Sequence, residues 1–176
     1  MTQSVYEKFM RAIVCDDCAT VMQHWSSPKL TESDRQWGFK EAVQLNNHTV
    51  VQHMLSHCLD VDRLLANDYG NCLKWVAGKN TPSQLMEFNA LTNLLVSYAN
   101  CLSGQQQYET FALFVEFQHH TGAAQMAEVV GAKKTYMWLQ DNPHWKKKLP
   151  DLMQNITLQN SVGNVPGLTQ PSIRKM

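Results

Sequence analysis

Apolar residues recur along the chain with the period of an α-helix and almost nowhere with the alternation of a β-strand. A longer helix is predicted from about Pro82 to Leu102, because Thr81 is suited to its N-cap, Pro82 to its first position and Gly104 to its end. Several short segments place apolar residues three and four positions apart, as on one helical face: Phe9, Ala12 and Ile13; Phe39, Ala42 and Val43; Leu73, Val76 and Ala77. This pattern predicts an all-α protein.

The pattern continues beyond Gly104 and then fades. An amphipathic helix is predicted around Tyr108 to Phe117, with a stop at Thr121 and Gly122, and two short segments follow at 123–130 and 133–140. Residues 155–176 are rich in Asn, Gln, Ser, Thr, Gly and Pro and have no dense apolar stripe. We therefore expect one helical domain over residues 1–154 and a flexible tail over 155–176.

Three segments in the first half of the chain are similar to one another. Each has an aromatic residue or Leu, two further residues and then two small or β-branched apolar residues, at 9–13, 39–43 and 73–77. A turn-forming polar residue follows each copy, and a second short apolar helix follows that turn. These turn residues are Asp16, Asn46 and Asn80. The chain is therefore predicted to repeat a pair of short helices.

The copy from Phe39 to Gly70 resembles an ankyrin repeat. Phe39-Lys-Glu-Ala42-Val43 is similar to the first helix of that family, and Val50-Val51 with Met54-Leu55 to the second. Leu59-Asp60-Val61-Asp62 is similar to the family's loop, and Asp68-Tyr69-Gly70 to the start of its next repeat. The resemblance covers roughly residues 6–90, although Asn71-Cys72-Leu73-Lys74 replaces the family's Thr-Pro-Leu-His.

The resemblance implies a short solenoid of helix pairs, followed by additional helices over 91–154. The apolar period alone leaves another helical array or a bundle open as an alternative. Ankyrin-like chains bind other proteins through a concave face that first helices and loop tips line. Composition rich in Asn, Gln and His also resembles bacterial or viral host-directed effectors, which act in a host cytosol.

A non-enzymatic protein-interaction module is therefore the main hypothesis, with another protein as partner and no cofactor. The candidate partner-binding residues lie between the apolar anchors of the first helices or on predicted loops. The helix positions are Arg11, Glu41, Gln44, Trp75 and Lys79, and the loop positions are Trp37, Arg63 and Tyr69.

Uneven charge supports a second hypothesis. Residues 1–132 carry 8 Lys/Arg and 13 Asp/Glu, a net charge of −5, whereas residues 133–176 carry 7 and 2, a net charge of +5. Within 123–140, Ala127, Gly131 and Met137 have the spacing of a helix-turn-helix turn. A small DNA-binding regulator would then contact DNA through one short helix. Its contact residues would be Lys133, Lys134, Thr135 and Trp138.

Motifs for metal or catalytic sites are incomplete in this chain. Cys15 and Cys18 have C-x-x-C spacing without a second such pair, so core or surface cysteines are the main interpretation and a metal or redox pair is the alternative. In the repeat register Cys15 takes the place of Leu45, which predicts partial burial. Glu116 and His119 have the E-x-x-H spacing of a di-iron site on one helix face, but such a site needs two of these motifs. Under the interaction-module hypothesis, no role is predicted for 105–153.

Localisation signals are equally sparse. The first residues are polar and include Glu7, so no secretory signal is predicted. The longest uncharged run, 88–108, contains several Asn, Ser and Gln residues, which are unlike those of a membrane span. Five cysteines without a regular framework predict reduced thiols and a cytoplasmic location. No membrane partner is expected.

Overall fold

Over residues 3–67 and 70–144, which the computed structural model describes, the chain forms ten α-helices, so the prediction of an all-α fold is confirmed. A two-stranded antiparallel ribbon of β1 (Ala66–Asn67) and β2 (Gly70–Asn71) precedes α6, and a 3-10 turn (Ala99–Cys101) follows α7. The helices are α1 (Val5–Val14), α2 (Cys18–Trp25), α3 (Glu32–Gln44), α4 (His48–Ser56), α5 (Val61–Leu65), α6 (Cys72–Ala77), α7 (Pro82–Ser97), α8 (Gly104–Glu116), α9 (His120–Val130) and α10 (Ala132–Asp141).

The described residues divide into two compact units, the first ending at Val129 and the second beginning at Val130. The tail predicted at 155–176 lies outside the described residues. No helix in the described part of the chain is both long enough and apolar enough to cross a bilayer.

Local capping determines where several helices begin. Thr81 caps α7 and Pro82 takes its first position, as the sequence predicts. The predicted end of this helix is wrong, because α7 stops at Ser97 and Gly104 begins α8. The physical reason is a capping box, in which Ser103 and Gln106 bind each other's backbone N–H groups and start a new helix.

Three helices end in the same type of backbone turn. Asp16, Asn46 and Gln118 have φ angles of 54°, 58° and 57°, in the left-handed region. After each of them the next backbone N–H donates to a carbonyl five residues earlier, which makes a Schellman motif. These bonds join Asp17 to Ala12 at 2.9 Å, Asn47 to Ala42 at 3.0 Å and His119 to Phe114 at 2.9 Å.

The turn at Gln118 belongs to a fourth copy of the repeated pattern, which sequence analysis missed. Phe111, Phe114 and Val115 occupy the same positions before Gln118 as Phe39, Ala42 and Val43 occupy before Asn46, and all six are buried. Helices α8 and α9 therefore form a fourth pair after α1–α2, α3–α4 and α6–α7. The copy was hidden because a large Phe114 replaces the small residue of the pattern.

Successive pairs contact one another within the first unit. Among the first helices of the pairs, α1 packs on α3 and α6 packs on α8. Among the second helices, α2 packs on α4 and α4 packs on α7. The first apolar anchor of every copy is fully buried, so the repeated pattern places a core residue at the same position of each helix pair. These anchors are Phe9, Phe39, Leu73 and Phe111.

Candidate protein-interaction groove

A groove of about 430 Å³ is formed by residues of α3 and by α6 with its N-cap residue. Two of the predicted partner-binding residues, Gln44 and Trp75, lie in this groove although they belong to different copies of the repeat. The lining residues are Lys40, Val43 and Gln44 from α3, and Asn71, Cys72, Lys74 and Trp75 from α6 and its N-cap.

The same position of the repeat holds a glycine where α1 and α3 pack closely and a cysteine where α3 and α6 form the groove. Gly38 faces α1, where a Cβ atom would lie 2.4 Å from Cε1 of Phe9. The equivalent position of α6 is Cys72, whose side chain lines the groove. A residue without a side chain lets two helices approach, whereas a residue with one keeps them further apart.

Trp75 has both a structural contact and a surface in the groove. Its ring packs edge-on against Phe88 of α7, with 5.2 Å between centroids and an interplanar angle of 74°. Nζ of Lys79 lies 4.0 Å from the Trp75 ring centroid, in a cation–π arrangement. Trp75 is half-buried, so part of the ring is available to a partner.

The charged side chains that line the groove are lysines, and none of its described lining residues is acidic. Nζ of Lys74 lies 3.6 Å from Oε2 of Glu109, in a pair whose side chains are 45% and 46% exposed. Nζ of Lys40 lies 5.4 Å from the ring centroid of Trp37. The groove therefore presents two lysines, one of which is paired with an acidic residue beside it.

Burial favours the protonated form of the Cys72 thiol in this groove. Burial raises the pKa of its thiol to about 12, while the charge of Lys40 has a smaller effect in the opposite direction. Its Sγ lies 3.9 Å from the carbonyl oxygen of Leu64, to which the thiol donates. Because the thiolate is the reactive form, a protonated Cys72 contributes apolar surface rather than chemistry.

Lys40 and Lys74 were not predicted from the sequence as groove residues, although a signal for them was present. Each follows the first apolar anchor of its copy, Phe39 or Leu73, so both lysines occupy the same repeat position. The candidates predicted from the sequence lie further along the same two segments, at Glu41, Gln44, Trp75 and Lys79.

The other predicted partner-binding residues lie outside the groove. Arg11 is exposed on α1, and Glu41 is half-buried on α3. Lys79 follows the C-terminus of α6, where its Nζ lies over the Trp75 ring. These three residues lie on first helices or just after one.

Two of the predicted loop positions are helical, and this part of the prediction is wrong. Trp37 lies in α3 because a capping box of Thr31 and Asp34 starts that helix well before it. Arg63 is exposed in the short helix α5. Tyr69 lies outside the described residues.

The predicted DNA-contacting segment has one residue between its helices. Gly131, with φ 93°, is the only residue between α9 and α10, whereas helix-turn-helix motifs use a turn of about three or four residues. Lys133 and Lys134 are exposed, and Trp138 is half-buried. Thr135 is fully buried, and its hydroxyl donates to the Gly131 carbonyl at 3.0 Å, so it is not available for base contact.

The C-x-x-C pair lies at the end of α1 and the start of α2. Cys15 is exposed because it is the C-cap residue beyond the last helical turn, which corrects the expected partial burial. Burial raises the pKa of the Cys18 thiol, and the charges of Asp16 and Asp17 raise it further. No group of three or more His, Cys, Asp or Glu residues that could hold a metal ion occurs among the described residues.

Glu116 and His119 do not share a helix face, because α8 ends at Glu116 and the chain turns at Gln118. His119 is 2% exposed, and its Nδ1 accepts a hydrogen bond from the Gly122 N–H at 3.1 Å. Burial lowers the pKa of His119. Its role is therefore to cap the start of α9.

Comparison of the chain with protein-family models, with curated proteins and with solved structures finds no match.

Proposed function

We propose that this chain is a non-enzymatic protein-interaction module of ankyrin-like type, and that its binding surface is centred on the groove of α3 and α6. The observation that carries the proposal is the convergence of Gln44 and Trp75 with two lysines in one groove. Binding energy at protein interfaces concentrates in aromatic anchors that lie in partly desolvated pockets. The half-buried Trp75 is such an anchor.

Hydrogen bonds between helix pairs support the ankyrin-like part of the proposal. Nδ2 of Asn46 donates to the Glu87 carbonyl at 2.9 Å, and Nδ2 of Asn80 donates to the Phe117 carbonyl at 2.9 Å. Both asparagines are turn residues of the repeat, and each bond reaches a different helix pair. Bonds of this kind keep neighbouring pairs in register, so that exposed residues of the first helices form one surface.

A binding role suits the chemistry of the groove. Its described lining residues offer two amides, two lysines, apolar surface and a protonated thiol, but no imidazole or carboxylate beside a nucleophile. Acid–base and nucleophilic catalysis require such a pair of groups within hydrogen-bonding distance. Action in a host cytosol, as an effector, stays a prediction.

Site-specific photo-crosslinking in cells that produce the chain tests the proposal. A benzophenone amino acid is placed at Gln44, which is exposed in the groove, and in a matched variant at Met86, which is 82% exposed on α7. We expect a discrete protein adduct from position 44 and none from position 86. Adducts from position 86 alone, or from neither position, would show that the groove is not an interaction surface.

DNA binding through 123–140 is the alternative function, and the exposed Lys133 and Lys134 favour it. The burial of Thr135 leaves that hypothesis with fewer base-contacting residues. A mobility-shift experiment with duplex DNA at low salt separates the two functions, because phosphate contacts by lysines are strongest there. A shift that is lost in the Lys133→Glu/Lys134→Glu variant would favour the DNA-binding alternative.

A further inference from the structure

We infer that the groove of α3 and α6 binds an acidic peptide segment that carries an apolar side chain. The peptide carboxylates contact Lys40 and Lys74, and the apolar side chain lies against Val43 and Trp75. This inference rests on the proposed function and specifies the chemistry of the partner.

The floor of the groove supports the apolar part of the ligand. Val43 is 1% exposed and Cys72 is 3% exposed, and both line the groove together with Trp75, so part of its lining is closely packed apolar surface. The volume of about 430 Å³ lies within the range of roughly 300–1,000 Å³ that is usual for small-ligand pockets. This space fits the side chains of a short peptide segment better than a flat protein surface.

The rim of the groove supports the acidic part of the ligand. Lys40 and Lys74 line it from two different helices, α3 and α6, and Lys79 lies over the ring of Trp75. Glu109 pairs with Lys74 at the surface, where such pairs are weak. A carboxylate of the partner can therefore replace Glu109 at little cost.

Electrostatics make a nucleic acid and the chain's own residues 145–176 less suitable occupants of the groove than an acidic peptide. Residues 1–129 carry 8 Lys/Arg and 13 Asp/Glu, a net charge of −5, which repels a long polyanion such as a nucleic acid wherever it extends beyond the groove. A short acidic segment is confined to the two lysines, with which it interacts at contact distance, and more distant charges are screened by salt. Residues 145–176 of the chain carry five Lys/Arg and one Asp, so this segment has the same sign of charge as the lysines of the groove. An acidic peptide from another protein complements the groove.

Fluorescence anisotropy with short labelled peptides tests this inference on the full chain. The probes have a central Leu, Phe or Met flanked by Glu, by Ser or by Lys, and a single-stranded oligonucleotide serves as the polyanion without apolar side chains. We expect the Glu-flanked peptides to bind most tightly. The Lys40→Glu/Lys74→Glu variant should lose at least about ten-fold in affinity, because like charges then face each other.

A matched variant controls for net charge. Lys8→Glu/Lys29→Glu makes the same charge change at exposed lysines outside the groove, and its affinity should stay within about two-fold of wild type. If the groove reversal unfolds the chain, Lys40→Met/Lys74→Met removes the charges while keeping much of the side-chain volume. It should weaken binding of the Glu-flanked peptides and leave the Ser-flanked peptides unchanged.

Each contrary result has a distinct meaning. Ser-flanked or Lys-flanked peptides that bind as tightly as the Glu-flanked ones would overturn the inference, as would unchanged affinity in the Lys40 and Lys74 variants. Binding of the oligonucleotide at the groove, without binding of any peptide, would overturn it as well. In these cases a crosslinked protein at position 44 would still support the proposed function. Absence of that adduct would contradict the proposed function itself.

Discussion

Gly38 of α3 lies directly against the aromatic ring of Phe9 of α1. A Cβ atom at position 38 would stand 2.4 Å from Cε1 of Phe9 and 2.7 Å from its Cζ, distances that real side chains do not adopt. Phe9 is fully buried, and its ring packs beside Trp25 with 6.2 Å between centroids. The ring has little room to move away, so α1 and α3 need glycine at this position.

We therefore expect Gly38→Ala to destabilise the chain by about 1–3 kcal/mol, as overpacking does in other cores. This would occur although alanine favours a helix over glycine by about 1 kcal/mol. Gly104→Ala, at the exposed start of α8 where the added Cβ would meet no side chain of a non-adjacent residue within 4 Å, is the matched control. Chemical denaturation of both variants measures the difference. A Gly38→Ala protein as stable as wild type would mean that the two helices separate without cost.

Asn46 contributes to stability in two ways that substitutions can separate. It adopts φ 58°, and its amide donates to the Glu87 carbonyl. Asn46→Gly keeps the turn and removes only the hydrogen bond, at a cost of about 0.5–1.5 kcal/mol. Asn46→Ala adds a backbone penalty of about 1–2 kcal/mol and should be the less stable variant. Free energies of unfolding from urea titrations compare the two.

The equivalent turn at Asp16, with φ 54°, provides a control for the backbone effect. Asp16→Ala should be less stable than Asp16→Gly by a similar amount, because alanine meets the same penalty there. Equal stabilities of the Gly and Ala variants at both positions would contradict the role of the left-handed turn.

Leu55 and Leu59 have the same side chain in opposite environments. Leu55 on α4 is 1% exposed, whereas Leu59 in the following loop is 100% exposed. Leu55→Ala should lower the free energy of unfolding by about 2–5 kcal/mol, since it removes buried apolar surface and leaves a cavity. Leu59→Ala should change it by less than about 0.5 kcal/mol. Thermal denaturation gives both values, and similar effects at the two positions would contradict the described core.

His119 should make stability depend on pH. Burial lowers its pKa in the folded chain, and its Nδ1 accepts from Gly122 only as neutral imidazole. The unfolded histidine has the ordinary pKa of about 6.5, so below that pH the unfolded state binds more protons than the folded state. The contribution of His119 is therefore complete above about pH 6.5 and is lost as the pH falls below it.

A capping residue that does not titrate separates the pH dependence caused by His119 from that of other groups. His119→Asn retains a side-chain acceptor suited to an N-cap. Urea titrations at about pH 7.5 and about pH 5.5 should show a smaller loss of stability in this variant than in wild type, because the titrating group is absent. Equal losses in the two proteins would assign the pH dependence to other residues.

Local patterns in the sequence were sufficient to predict helices, core faces and some caps. Phe9, Phe39 and Leu73 are fully buried, as their spacing predicts, because the apolar period of a helix depends only on nearby residues. The cap at Thr81 was predictable for the same reason. Gly104 shows the limit of such signals, because glycine suits the region beyond one helix and the beginning of another, and the nearby capping box decided between them.

Contacts between residues far apart in the sequence could be identified only in the tertiary structure. The spacing of the repeat identified first helices and led to Gln44 and Trp75, but not to the groove that they share with Lys40 and Lys74. Likewise, nothing near Gly38 in sequence indicates the ring of Phe9. Periodicity determines which face of a helix is apolar, because that depends on the order of residues along one turn. Which faces meet, and how closely, depends on side-chain volumes from separate segments, and only the packed chain decides it.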